Sequence, residues 1–391
     1  MSEAEPRPHR AHPSGAPARS GSATGAIARL APRRARPVVV AAGLGFAAIL
    51  PLFLSEGSSA LDIMVLAAAY VIMALGLNVV VGFAGLLDLG YVAFFAIAAH
   101  VTAYLGSAYW ADAAGGAGIA LLVGEPAAGR PGIHFNFLII LVLAIMATTT
   151  AGVLIGVPTL RLRGTYVGVV TLAFGETIGQ VASNGQDIKL FGGSLTAGPN
   201  GITPIDGIDL PFVQPFGARH LRPWYWFALT LVALMLFVNF RLRDSRMGRA
   251  WIALRDDEEA AASAGVPIAH TKLQAYGVGA ALGGVSGAFL ASYLRTVNPD
   301  QFTFSFSIFI LAMVVLGGLG SIWGVVVGAI TLTAINHYLL PTVLHGVPRK
   351  VGLDFDPSAI SSGIYGFLLV IIRLLRPQGL LPERRHRDSR R

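Results

Sequence analysis

The chain has 391 residues, of which 54% are hydrophobic and only 13% charged, and it contains no cysteine. A soluble domain carries about 25% charged residues, so this deficit excludes an ordinary globular protein and fits a surface that faces hydrocarbon; without cysteine, disulfides, thiolate zinc sites and iron–sulfur clusters are excluded too. The formal net charge of +8 reads as the basic loops and tails of a membrane protein, because no basic stripe laced with aromatics is present to hold nucleic acid.

Residues 1–36 are rich in Pro, Ala, Ser, Gly and Arg without an apolar period, which predicts a disordered basic cytoplasmic tail. Crossing hydrocarbon takes about 20 mostly apolar residues. On that basis candidate spans follow at 37–54, 61–82, 85–105, 135–157, 165–184, 223–240, 271–293, 304–318, 320–338 and 359–375. Arg33-Arg34 before the first and Ser58-Ser59-Ala60 after it suggest a signal peptide, yet 37–54 is long enough to span and further spans follow, so it is read as a retained helix. The segments 85–105 and 165–184 are interrupted by Gly and polar residues and are expected to be broken or re-entrant. The expected fold is all-α, a polytopic transmembrane helix bundle of about 10 spans (8–10). The membrane domain covers 37–376, with a long loop at about 241–270 and a second basic cytoplasmic tail at 377–391.

Alternating ten helices from a cytoplasmic N-terminus leaves only Arg130, Lys189, Arg219, Arg222, Arg295, Arg349 and Lys350 on the far side, out of 29 Lys and Arg. That asymmetry predicts an N-in, C-in arrangement. Losing one span would put the basic loop and one terminus on opposite sides, so an even number is favoured.

Glycines at 279, 283 and 287 share one helical face, as do those at 324 and 328, a spacing that lets helices pack closely in lipid. Glu176 and Thr177 sit mid-span, where an acidic residue costs about 2.5–3.5 kcal/mol unless it faces protein or water. Asn78 and Asp88 flank a break at Gly82, Gly85 and Gly90, where unwound backbone can line a cavity. These four residues fit either a polar path for a zwitterion or hydrogen bonding between helices. His100 and His337 read as structural, and Arg161 and Arg163 as interfacial anchors. No G-x-x-x-x-G-K-[ST] stretch is present to cradle ATP phosphates, and GGLGS at 317–321 reads as a tight turn between helices. With no H-E-x-x-H pair or G-x-S-x-G elbow, and nine scattered histidines, neither a catalytic centre nor a metal site nor a cofactor site is expected.

The segment 241–272, RLRDSRMGRAWIALRDDEEAAASAGVPIAHTK, is the most informative. Its alanines favour helix, Gly265 and Pro267 stop it, and a short surface helix would present Arg249, Arg255 and Asp256–Glu259 to a cytoplasmic partner. GRAWIALRDDEEAAASAGV within it resembles the coupling loop of bacterial branched-chain amino-acid ABC transporter permeases. LGLNVVVGFAGLLDLGYVAFFAIAAHVTAYL (75–105), LRLRGTYVGVVTLAFGETI (160–178), LTAGPNGI (195–202) and SIFILAMVVLGGLGSIWGVVVGAI (307–330) resemble further blocks of that family, in its order. The LRLRG and TLAFGE blocks point to its M-type subunit.

The resemblance implies a permease subunit in the bacterial inner membrane that imports leucine, isoleucine, valine or related small amino acids. It also implies a second homologous permease, two cytoplasmic ATP-binding subunits that hydrolyse ATP, and an extracytoplasmic substrate-binding protein, so the chain itself is not an enzyme. Carried over, the ATPase-coupling residues are Gly248, Arg249, Ala253, Arg255, Asp256, Glu258, Ala261 and Gly265, and the substrate path runs through Asn78, Asp88, Tyr91, Glu176 and Thr177. The sequence departs from the family at Asp88, where a small hydroxyl residue is usual, at Tyr91, where His or Gln is common, and in a longer stretch at 106–134. Urea or short amides are the alternative solutes within the family. A secondary transporter driven by protons through Glu176 is the alternative outside it.

Overall fold

The computed structural model describes residues 36–111, 118–123, 131–162, 164–190, 193–209, 216–217, 220–338 and 379–381, with Gly363 and Phe367. The expected tails at 1–36 and 377–391 and the span at 359–375 therefore lie almost wholly outside the described residues. By its contacts the chain divides after Ala47. Of the first unit only the stretch from Arg36 belongs to the described residues, within helix α1 (Arg36–Ile49).

The second unit is a helical membrane bundle. Helices α2 (Ser59–Leu77), α3 (Val92–Leu105), α4 (Phe137–Thr159), α5 (Thr165–Asn184) and α6 (Leu221–Asp244) lead to two short helices, α7 (Arg246–Asp256) and α8 (Glu258–Ser263). Helices α9 (Ile268–Leu294), α10 (Phe304–Gly317) and α11 (Ile322–Ala334) follow. Among the described residues four segments are long and apolar enough to cross a membrane: Ser59–Phe83, Phe137–Thr159, Leu221–Asp244 and Ile268–Leu294. The other apolar helices among the described residues have 10–17 residues, and α5, with 20, falls below the four in apolar character. Helix α3, with 14 residues, rises only about 21 Å at 1.5 Å per residue.

The expected break before α3 is present. Helix α2 widens into a π turn at Asn78–Phe83, and α3 begins only at Val92. The expected interruption of 165–184 does not occur, since α5 is one continuous helix of 20 residues. Its glycines serve close packing instead: Gly168 lies against Leu87 and Leu89, and Gly175 against Gly90. A glycine-rich apolar run reads the same from sequence whether it breaks a helix or lets one approach a neighbour.

Helix α9 is the centre, packed on α2, α3 and α4. The face bearing Gly279, Gly283 and Gly287 meets Val80, Tyr91 and Phe95 in turn, so the small-residue pattern forms a real helix seam. Gly324 and Gly328 likewise rest on Gly317 of α10. The GGLGS segment is the expected turn: Gly318 and Gly320 take positive φ of 116° and 79° between α10 and α11. Leu380 and Leu381 donate their N–H groups to Leu316 and Gly317 at 2.9 and 3.1 Å, which fixes this short piece of the C-terminal region at the same end of the bundle.

Within the long stretch after α3, β1 (Gly106–Ser107), β2 (Gly118–Leu121) and β3 (Gly132–Phe135) make a small sheet in the order β1-β3-β2, antiparallel then parallel. His134 and Asp206 pair across it at 2.6 Å.

Candidate functional site

Helices α7 and α8 form because each has its own start signal. The Ser245 hydroxyl accepts from the Gly248 N–H at 3.1 Å, and the Asp257 carboxylate accepts from Glu259 and Ala260 at 2.9 and 3.0 Å, the N-cap contacts that orphan helix donors require. Gly265, at φ +87°, ends the pair before Pro267. One face of α7, made by Gly248, Trp251 and Leu254, is buried, as helical spacing dictates.

Three side chains bolt this pair to the bundle. Trp251 is 0% exposed and its indole N–H donates to the Thr271 carbonyl at 3.0 Å. Lys272, 3% exposed, meets Glu258 at 2.7 Å, which compensates a charge that would be costly buried alone. Arg255 donates through Nη1 to the Gly82 carbonyl at 2.6 Å. Of the residues expected to meet a partner, Arg249, Asp256 and Gly265 are exposed, Ala253 is half-buried, and Gly248 and Ala261 are buried. Arg255 and Glu258 point their charged ends into this chain. Arg249 lies along the surface and donates to the Asp244 carbonyl at 2.8 Å.

The second cluster surrounds the break between α2 and α3. Asn78 is fully buried at the start of the π turn, and its Oδ1 accepts from the Gly320 N–H at 2.9 Å while Nδ2 has no partner. Asp88, 2% exposed, turns Oδ1 back onto the Gly90 N–H at 2.9 Å and leaves Oδ2 unpartnered. The unwound backbone just after Asp88 is held from two sides: the Leu89 carbonyl accepts from Ser307 Oγ at 2.6 Å and its N–H donates to Thr171 Oγ1 at 3.1 Å. Tyr91, almost completely buried, donates to the Gly279 carbonyl at 2.7 Å, with its hydroxyl in the space left by Gly76 and Gly283. Tyr91→Phe is expected to cost about 0.5–1.5 kcal/mol, the worth of one ordinary hydrogen bond. It should also partly relieve Gly76→Ala, whose methyl would press on that hydroxyl. Thermal midpoints of the purified single and double variants measure both effects.

Glu176 and Thr177 are elsewhere. They lie on the outer face of α5, exposed with Gln180 and Asn184, around an open concavity of about 400 Å³ that Val181, Gly185 and Ile188 complete. The five path candidates thus fall into two groups: Asn78, Asp88 and Tyr91 inside the packed break, and Glu176 and Thr177 on an open polar stripe. The stripe's other members escaped the sequence reading, although Glu176, Gln180 and Asn184 repeat every four residues, a legible helical face. Trp251 and Lys272 escaped it too, since an indole and an ammonium within a charged loop look like solvated surface.

A family model described as branched-chain amino acid transport system / permease component matches residues 59–373. The chain belongs to that family. Among its relatives, the high-affinity branched-chain amino acid transport system permease protein LivM of Salmonella typhimurium is 36% identical over 86% of this chain and 72% of its own length. The probable LivM of Methanocaldococcus jannaschii is 26% identical over 63% of this chain and 69% of its own. LivH of Salmonella typhimurium is 27% identical over 40% of this chain and 46% of its own. No solved structure gives a significant match.

Proposed function

We propose that this chain is the M-type permease subunit of an ATP-driven importer of leucine, isoleucine, valine or related small amino acids in the inner membrane. The observation that carries the reading is the helical pair α7–α8, anchored to α2 and α9, with Arg249, Asp256 and Glu259 on its exposed surface. A pore without a phosphate-binding loop of its own needs such a handle. In this reading two ATP-binding subunits grip the pair in the cytoplasm through Gly248, Arg249, Ala253, Arg255, Asp256, Glu258, Ala261 and Gly265, the buried ones by shaping the surface and holding it rigid. About ten spans run N-in and C-in, with the basic tails at 1–36 and 377–391 on the ATPase side. The contact of Leu380 and Leu381 with the end of α10 favours that side for the C-terminus.

The solute passes along the outer face of α5. A mid-helix carboxylate facing lipid would cost about 2.5–3.5 kcal/mol, so Glu176 belongs against water or protein. A second homologous permease, placed across this stripe, closes a polar path lined by Glu176 and Thr177. Asn78, Asp88 and Tyr91 hold the adjoining helix break. An extracytoplasmic binding protein delivers the amino acid and sets most of the specificity, which leaves urea and short amides as the alternative solutes.

Arg249→Glu and Gly265→Trp are each expected to reduce amino-acid uptake at least about tenfold, within the range of typical coupling energies, with the protein still present in the membrane. Normal uptake in both would remove the assignment. Uptake that continues under ATP depletion and stops when the proton gradient collapses would favour proton coupling through Glu176 instead.

A further inference from the structure

We infer that Arg255 is a positioning residue that carries movement of α7 into the helix break, by holding the carbonyl of Gly82 at the end of α2. The inference rests on the import reading above and names the route by which force would enter the bundle. The last carbonyls of a helix have no N–H partners further along it. A cation placed there gains both a charge-assisted hydrogen bond and a favourable place at the negative end of the helix dipole. Arg255 takes that place at 2.6 Å.

Its stem is located as firmly as its tip. Gly85 turns under it with φ +70°, and a Cβ there would sit 2.5 Å from Arg255 Cγ and 2.9 Å from its Cβ. Only glycine fits, both for the backbone and for the space. Three residues further on stands Asp88, beyond the Leu86 N–H, which bonds back to the Val80 carbonyl at 3.0 Å and ties this stretch to the π turn. It is tied forward to α5 by Thr171 and to α10 by Ser307, while Asn78, one π turn earlier, holds the α10–α11 turn at Gly320. A shift of α7 therefore reaches α2, α5, α10 and α11 through one guanidinium.

The other anchors of the same loop, Trp251 and Glu258, grip α9 instead. Helices α2 and α9 press together along the glycine seam that encloses the Tyr91 hydroxyl. The loop thus holds one helix of that seam by Arg255 and the other by Trp251 and Glu258, and it can slide them against each other.

The test uses the complete importer in proteoliposomes and reads ATP hydrolysed per amino acid imported. R255M keeps an apolar stem beneath Gly85 and removes the donors. It is expected to raise that ratio about tenfold, within the span of measured coupling factors, with both ATP-binding subunits still co-purifying. R255K, whose ammonium can donate to the same oxygen, is expected to fall between R255M and wild type. A merely structural role would lower the amount of complex without moving the ratio. If R255M does not accumulate, R255K decides alone: a raised ratio supports the strut and a wild-type ratio overturns it. An unchanged ratio in R255M, or loss of the ATP-binding subunits from it, also overturns the proposal. Wild-type uptake indifferent to ATP would instead remove the import reading itself.

Discussion

Gly90→Ala is expected to leave almost no folded protein in the membrane. The added methyl would fall within the van der Waals shell of the Thr171 carbonyl oxygen, 2.6 Å from its carbon and 3.1 Å from the Gly175 nitrogen. Every one of those atoms is backbone, so no side chain can swing aside. The two chains could part only by pulling α5 away from the break, which would strip the Leu89 bond to Thr171 and uncover Asp88. Overpacking a core usually costs about 1–3 kcal/mol, and a clash against helix backbone belongs at or above the upper end. Membrane abundance and monodispersity after extraction measure it. Gly277→Ala is the control: its methyl would meet only side-chain atoms of Val153 and Thr149, at 3.3 and 3.7 Å, and near-normal abundance is expected. Equal yields for the two variants would show that the contact of α5 with the break is looser than drawn.

Trp251→Ala should be the most damaging change in the long loop. A fully buried tryptophan replaced by alanine typically loses about 3–5 kcal/mol. Here the indole also fills the angle between α7 and the start of α9 and binds the Thr271 carbonyl. With it gone, α7 keeps its cap at Ser245 and its bond from Arg255 but loses its floor. The expected outcome is a protein with its bundle intact and the loop protease-sensitive, cut between α6 and α9 at concentrations that spare wild type. Trp251→Phe retains most of the filling and should resist cleavage better. A wild-type digestion pattern for Trp251→Ala would contradict this role.

The helical class, the break after Asn78 and the stop at Gly265 were legible because each has a local cause: apolar length, clustered glycines, or a glycine–proline pair. The paired start signals at Ser245 and Asp257 are local as well. What the sequence could not separate were features that depend on which way a side chain points. Arg255 and Glu258 carry charge in a charged loop, so they read as partner-facing, yet their ends are consumed by Gly82 and Lys272. Lys272 reads from sequence as one more basic residue near a membrane edge, whereas in the fold it is a buried ammonium that the half-buried Glu258 carboxylate neutralises. The glycines and polar residues of α5 read from sequence as interruptions, whereas the helix is continuous and its glycines are contact points. Their partners, Leu87, Leu89 and Gly90, lie about 80 residues away, and only the folded chain brings them together. The strands near 106–135 are two to four residues long, below what alternation can reveal.

The wide turn at Asn78–Phe83 has a consequence for reading this chain beside others. A π segment is an α-helix that has accommodated one surplus residue. Deleting one residue of that turn would let the coil run on at regular α pitch with the segments on either side near their present orientation, because the wider turn is what absorbs the surplus residue. What changes is the pairing at the end of the helix, and with it the carbonyl left over for Arg255, now that of Gly82. Single-residue gaps in alignments of related chains are therefore informative at this spot, since they record whether the ladder was ever opened there.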